Sequence, residues 1–358
     1  MISVVVVDDS ATVRRVLTNG LNATPDIRVI GSAPDPYVAR ELIVGLKPDV
    51  ITLDVEMPLM DGLSFLAKLM RHHPLPVVVI SSLTPAGSHE AMRAFELGAV
   101  EVLCKPGSAY DVGDAVPRLA RAIRSAAAAR CRAPRLSELP TLEKSLPSSG
   151  GLTRTTDTVL MLGASTGGTE ALREILAALP GDTPGTAIVQ HMPPMFTASF
   201  AQGLNRTSRI RVAEAVGGEP LLPGLAYVAP GGHHLVVVRS GARYQVELRG
   251  GPEVHYQRPA VDVAFLSAAR TAGVNAVGVL LTGMGQDGAV GLKAMRAAGA
   301  HTIVQDEASS VVFGMPKAAI ACGAACEIAS LSAMPERILQ ALARLERRTS
   351  AFLTTTIR

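Results

Sequence analysis

Three residues between positions 165 and 287 have the makings of acyl-transfer chemistry. Ser165 lies in Gly163-Ala164-Ser165-Thr166-Gly167, a G-x-S-x-G pattern that presents a serine hydroxyl on a sharp strand-to-helix turn. His191 follows the apolar run 187–190, and Asp287 lies in the segment LTGMGQDG directly after another apolar run. A histidine can deprotonate a serine, and an aspartate can fix the histidine tautomer and stabilise its imidazolium. Backbone N–H groups of the glycine-rich turn 283–285 could stabilise an oxyanion. Other readings stay open on these residues alone. GASTGG could hold a phosphate at a helix N-terminus, although it lacks the spaced glycines of the dinucleotide fingerprint and the lysine of the P-loop. It could equally be a plain turn with Ser165 as a helix cap. Asp262 and Asp306 are rival acids, Asp262 at what looks like a helix start. His233 and His234 are rival bases that read as a solvated turn, and His255 and His301 have no evident partner.

A second set of residues suits phosphoryl chemistry. Asp8 and Asp9 end the first apolar run, Asp54 ends the third, Ser81 and Ser82 follow the fourth, and Lys105 follows the fifth. Carboxylates converging on one edge repel unless a hard cation sits among them, and Mg2+ with oxygen ligands and a phosphate suits such a site. A lysine and a hydroxyl can then hold phosphoryl oxygens. Asp61-Gly62 reads as turn chemistry instead.

The elements that must position these groups can be read from the hydrophobic pattern. Runs at 2–7, 28–31, 50–53, 77–80 and 101–104 alternate with helix-like segments such as 12–22 and 62–72. They are apolar throughout, as expected of parallel strands covered on both faces. Such a doubly wound sheet gathers functional groups at the carboxyl ends of its strands. The expected domains are 1–107, with a fifth helix extending to about 130, then a Pro-, Ser- and Gly-rich linker at 131–155, then 156–350. The second domain repeats the strand–helix alternation, with strands at 159–163, 187–190, 275–282 and 301–305. Segments 225–228 and 235–248 read as hairpin strands around Gly241.

Composition narrows the function class. Hydrophobic residues make up 48% and charged residues 18% of 358 residues, enough for packed cores. Aromatics are 3% and Trp is absent, which argues against a binder that stacks bases. A net charge of +3 marks no nucleic-acid binder. Four cysteines form no disulfide framework or zinc-ligand spacing. The start MISVVVVDDS is no signal peptide, and no run spans a membrane, so a cytoplasmic setting is expected.

The set VVVDDS…LDVEMPLMDG…SS…KP resembles the response-regulator receiver domain, which is flavodoxin-like. GASTGG, QHMP, APGG-H, RPAVD and LTGMGQDG together resemble the chemotaxis protein-glutamate methylesterase and glutamine deamidase family, from about residue 157 to 345. The first resemblance implies phosphorylation of Asp54 by a chemotaxis histidine kinase. It implies Mg2+ on Asp8, Asp9, Asp54 and the Glu56 backbone carbonyl, with Ser81 as switch hydroxyl and Lys105 as phosphate contact. The second implies an α/β parallel-sheet domain with a β-hairpin and no cofactor of its own. Ser165 would be the nucleophile, His191 the base and Asp287 its orienter, with Thr166 and Met284 lining the site and the Met284 N–H in the oxyanion hole. The implied activity is hydrolysis of glutamate γ-methyl esters on chemoreceptors, releasing methanol, with deamidation of receptor glutamines. The unphosphorylated receiver would inhibit it. A monomer without nucleic-acid or membrane partners is expected.

Overall fold

The computed structural model describes residues 1–81, 85–105, 112–130 and 158–356. The expected linker 131–155 and the expected first boundary at 107 lie outside the described residues. The chain divides into two compact units, Met1–Ser137 and Glu138–Arg358.

The first unit alternates β1 (Ile2–Val7), α1 (Ala11–Asn22), β2 (Ile27–Ala33), α2 (Pro36–Leu46), β3 (Val50–Asp54), α3 (Gly62–His72), β4 (Val77–Ser81), α4 (Pro85–Glu96), β5 (Glu101–Cys104) and α5 (Val112–Ala127). The five strands pair in parallel in the order β2-β1-β3-β4-β5. β3 and β4 are buried at every position, so their runs of branched residues do not alternate. Helix starts are set by side-chain caps: Ser10 accepts the Val13 N–H, Asp35 those of Tyr37 and Val38, and Asp61 that of Ser64. Asp61 is therefore a cap. α5 ends at Ala127, somewhat short of the expected 130.

The second unit runs β6 (Val159–Ala164), α6 (Gly168–Ala178), β7 (Thr186–Gln190), α7 (Pro194–Thr207), β8 (Arg211–Glu214), β9 (Leu225–Val228), β10 (His234–Ser240), β11 (Arg243–Arg249), α8 (Val261–Thr271), β12 (Ala276–Leu280), α9 (Ala289–Ala297), β13 (His301–Gln305), α10 (Met315–Ala321), β14 (Glu327–Ala329) and α11 (Met334–Thr356). Seven strands form a parallel sheet in the order β14-β13-β12-β6-β7-β9-β8, and β10 with β11 forms a separate antiparallel hairpin. This corrects one expectation: Leu225–Val228 is no hairpin strand but β9, paired in parallel with β7 and β8. β8 and β14 are strands the sequence pattern did not reveal.

The core is aliphatic, as the scarcity of aromatics requires. Val159, Met161, Val189, Leu280 and Leu292 pack with the rings of Phe265 and Tyr244 in a single cluster. β6, β7 and β12 are buried along their whole lengths. The chain builds the sheet outward from β6 through β7, then returns to place β12 on the other side of β6. That reversal of strand order opens a crevice at the carboxyl ends of β12, β6 and β7. Among the described residues, no helix is long and apolar enough to cross a membrane.

Candidate active site

Ser165 follows β6, His191 follows β7, and Asp287 lies on the loop after β12, so three neighbouring strands deliver them to one edge. The strand register continues into the loops and stitches them together. The Ser165 N–H donates to the Thr282 carbonyl at 3.0 Å, and the His191 N–H to the Ala164 carbonyl at 3.2 Å. Gln190, buried at the end of β7, donates its side-chain amide to the carbonyls of Ser165 (2.9 Å) and His191 (3.1 Å). The Thr282 hydroxyl donates to the Thr166 carbonyl at 2.9 Å, and the Gln305 side chain accepts the Thr282 N–H at 2.8 Å. Sequence reasoning missed Gln190, Thr282 and Gln305. The available signal was a polar residue ending each of three otherwise apolar strand runs.

His191 Nε2 lies 2.7 Å from Asp287 Oδ2, both residues being buried. The Asp287 carboxylate sits on the N-terminus of α8, accepting the Val261 N–H at 2.7 Å and the Asp262 N–H at 2.9 Å. Burial alone would push this carboxyl up. His191 and the two helix amides overcome that and hold it below the usual carboxylate range. With Nε2 committed to Asp287, Nδ1 is the imidazole nitrogen left to accept a proton. Ser165 and Thr166 are nearly buried, whereas Met284 is partly exposed. The Gly283 N–H is spent on the Val312 carbonyl, and the Met284 N–H has no hydrogen-bond partner among the described residues. Gly283 must be glycine, because a Cβ there would lie 2.7 Å from Ser165 Cβ and 2.3 Å from Met315 Sδ.

The rival residues are placed elsewhere. Asp306 caps its own turn through Ser309. Asp262, in the first turn of α8, accepts the Gly291 N–H at 2.6 Å and pairs with His255 at 3.1 Å. His301 stands 3.5 Å from Glu327. His233 is exposed, but His234 corrects the expectation of a solvated turn: it is buried at the start of β10, its Nε2 donating to the Pro252 carbonyl and its Nδ1 accepting the Ala260 N–H. Oxygen or nitrogen atoms of His255, Asp262 and Asp287 all lie within 4.8 Å of one another. Backbone N–H donors already occupy both carboxylates, so this group is explained without an ion.

The first unit gathers its own cluster. Oxygens of Asp8, Asp9 and Asp54 lie within 4.8 Å of one another at the ends of the adjacent strands β1 and β3. The Asp54 carboxylate accepts from Lys105 Nζ at 2.7 Å and from the Glu56 N–H at 3.1 Å. Arg14 holds the loop through the carbonyls of Asp8 and Asp9. Asp8 accepts the Ser10 N–H on Oδ1, while its Oδ2 is buried without a hydrogen-bond partner. Burial, abetted by the charges of Asp54 and Asp9 against the Ser10 amide and Lys105, pushes Asp8 up to about 6. Burial also pushes Asp54 up, against the hydrogen bond and charge of Lys105. Ser81 is buried at the end of β4. An orphaned carboxylate oxygen among three acids fits a hard divalent cation such as Mg2+.

Comparison with known proteins agrees with this division. The response regulator receiver domain family matches residues 4–116, and the CheB methylesterase family matches residues 160–338. A protein-glutamate methylesterase/protein-glutamine glutaminase 2 from Syntrophus aciditrophicus is 52% identical over 341 residues, spanning 95% of this chain and 98% of that protein. A protein-glutamate methylesterase/protein-glutamine glutaminase 4 from Anaeromyxobacter dehalogenans is 55% identical over 323 residues, 90% of each chain. The crystal structure of the Thermotoga maritima CheB methylesterase catalytic domain is similar with a TM-score of 0.50 at 37% identity, over 51% of this chain and 97% of that one. The chain belongs to the protein-glutamate methylesterase/protein-glutamine glutaminase family, with a receiver domain ahead of the esterase domain.

Proposed function

We propose that this enzyme hydrolyses glutamate γ-methyl esters on chemotaxis receptors, and deamidates receptor glutamines, with Ser165, His191 and Asp287 doing the chemistry. The observation that carries the assignment is the buried 2.7 Å bond between His191 Nε2 and Asp287 Oδ2, at the crevice where Ser165 is presented. The Ser165 Oγ–H gives its proton to His191 Nδ1 as Oγ bonds to the ester carbonyl carbon. The imidazolium is stabilised by Asp287, which stays ionised. The carbonyl oxygen becomes an oxyanion facing the Met284 N–H, a donor position that typically contributes about 10²–10³ in rate. Collapse breaks the ester C–O bond, and His191 returns its proton to the leaving methoxide, releasing methanol. Water, deprotonated in turn by His191, cleaves the acyl-enzyme to the free glutamate. A glutamine side chain follows the same course, with ammonia leaving.

Asp54 is the proposed phosphoryl acceptor, with a histidine kinase of the chemotaxis system as donor. Asp8, Asp9, Asp54 and the Glu56 carbonyl would hold Mg2+. That ion supplies positive charge against the phosphoryl oxygens when bound. Lys105 is already placed on the Asp54 carboxylate, and the Ser81 hydroxyl is the proposed switch group. The unphosphorylated receiver domain acts as an inhibitor of the esterase domain in this reading.

The test is methanol release from membranes bearing methylated receptors. Wild type is expected to release methanol, and Ser165→Ala to fall to background. Equal release by Ser165→Ala would refute the nucleophile assignment.

A further inference from the structure

One buried side chain has no step in the proposed reaction, yet it is bonded to two of the three residues that perform it. Gln190 is the last residue of β7 and is 3% exposed. It pairs with Ala164, the last residue of β6, and the two close the β6–β7 ladder. The next residue on one side is Ser165 and on the other His191. The backbone N–H of each is held from a neighbouring segment, Ser165 by the Thr282 carbonyl at 3.0 Å and His191 by the Ala164 carbonyl at 3.2 Å. Gln190 holds their carbonyls. Its Nε2 donates to Ser165 at 2.9 Å and to His191 at 3.1 Å. A single amide nitrogen thereby spans the backbones of nucleophile and base.

Both acceptors are carbonyls, so only the NH2 end of the amide can face them, and chemistry fixes the orientation of the side chain. The other end is left over. Gln190 Oε1 is buried and has no hydrogen-bond partner among the described residues. An orphaned buried acceptor destabilises a fold, and an apolar side chain at this strand end would avoid it. The amide is accommodated all the same. A Cβ on residue 168 would lie 2.2 Å from Gln190 Oε1, so the last glycine of GASTGG leaves the side chain its place. What offsets the orphaned oxygen is the pair of bonds made by Nε2.

We infer that Gln190 is a positioning residue for the reaction: by joining the Ser165 and His191 carbonyls, it sets the separation across which Oγ passes its proton to Nδ1. This rests on the esterase reading above and deepens it. Gln190 acts through Ser165 and His191 rather than on the ester, so its loss belongs in kcat and not in KM.

Gln190→Met keeps the length of the side chain while removing both donors and the orphaned oxygen, so the full chain should melt near wild type. Supplied with Mg2+ and a small phosphodonor, it should release methanol from methylated receptor membranes with kcat lower by about 10², the scale of a 1 Å misplacement, and KM within about twofold of wild type. The acid limb of its kcat–pH profile should match that of wild type, because the bond between His191 and Asp287 is untouched. Gln190→Glu restores one donor while its carboxyl is protonated, the form that burial beside two carbonyls favours. At pH 6 it should therefore be faster than Gln190→Met, which separates hydrogen bonding from packing. A kcat for Gln190→Met within about threefold of wild type would overturn the inference, as would a loss carried by KM. So would an acid limb moved by more than about half a pH unit, which would place Gln190 in the His191–Asp287 pair, or a Gln190→Glu no faster than Gln190→Met. Should Gln190→Met not fold, Gln190→Glu decides alone: a lowered kcat at unchanged KM supports the inference, and a wild-type kcat overturns it. Wild type releasing no methanol would instead overturn the esterase reading itself.

Discussion

His191 Nε2 and Asp287 Oδ2 are 2.7 Å apart, and the same Asp287 oxygen accepts the Val261 N–H at 2.7 Å. One carboxylate oxygen thus joins the imidazole to the N-terminus of α8. The helix fixes the carboxylate, and the carboxylate fixes the ring, so that Nε2 carries the proton and Nδ1 is free to act as base.

Asp287→Asn tests that arrangement. An amide can present its NH2 toward His191 and reverse the tautomer. kcat for methanol release should fall by roughly 10³–10⁴, the scale of losing an orienting aspartate, while KM stays near wild type. A loss of under tenfold would show that Asp262 or Asp306 serves instead.

Gly283→Ala tests how tightly the nucleophile is held. The added methyl would meet Ser165 Cβ at 2.7 Å and Met315 Sδ at 2.3 Å. Relief requires a shift of the Ser165 turn, and a misplacement of about 1 Å costs on the order of 10² in rate. Thermal melting of the variant should show a folded esterase domain with activity reduced by about that factor.

Asp8 gives the first domain a pH signature. Its carboxyl is raised from 3.8 to about 6 without metal, so the folded chain binds a proton more tightly than the unfolded chain does. Metal-free stability from this group is therefore full below pH 3.8 and is lost as pH rises to about 6. Mg2+ must displace the same proton, so its affinity should drop about tenfold per pH unit below 6 and level off above. Calorimetric Mg2+ titrations from pH 5 to 8 would show this, and Asp8→Asn should bind weakly at every pH. A pH-independent affinity in wild type would contradict the assignment.

Inhibition by the receiver domain predicts that a chain beginning near residue 150 releases methanol faster than the unphosphorylated full chain. Equal rates would remove the inhibitory role.

Much of this was legible before the structure because the informative residues are punctuation. Strands β1, β3, β6, β7 and β12 are short, largely apolar runs with no alternation, and a buried parallel strand has little other way to read. The Ser, His and Asp that follow three of the runs stand out against them. What escaped was short or depended on distant partners. β14 has three residues, and β8 shows one buried position in four, so neither offers a period. His234 sits in the polar-looking sequence PGGHH, and only the return of the chain at Pro252 and Ala260 buries it. The pairing of His255 with Asp262 was hidden because His255 sits at a positive φ of 53° in a turn closed by backbone hydrogen bonds between Val254 and Gln257. A histidine-tyrosine pair does not advertise that turn as Asn-Gly would.

The central claim, a serine esterase governed by phosphorylation of Asp54, is tested most directly by methanol release from methylated receptor membranes with and without Mg2+ and a small phosphodonor. Wild type should accelerate only when both are present. Asp54→Ala should hold one basal rate under all conditions, and Ser165→Ala should release none. A wild-type rate indifferent to the phosphodonor, or an Asp54→Ala rate that still responds to it, would contradict the account.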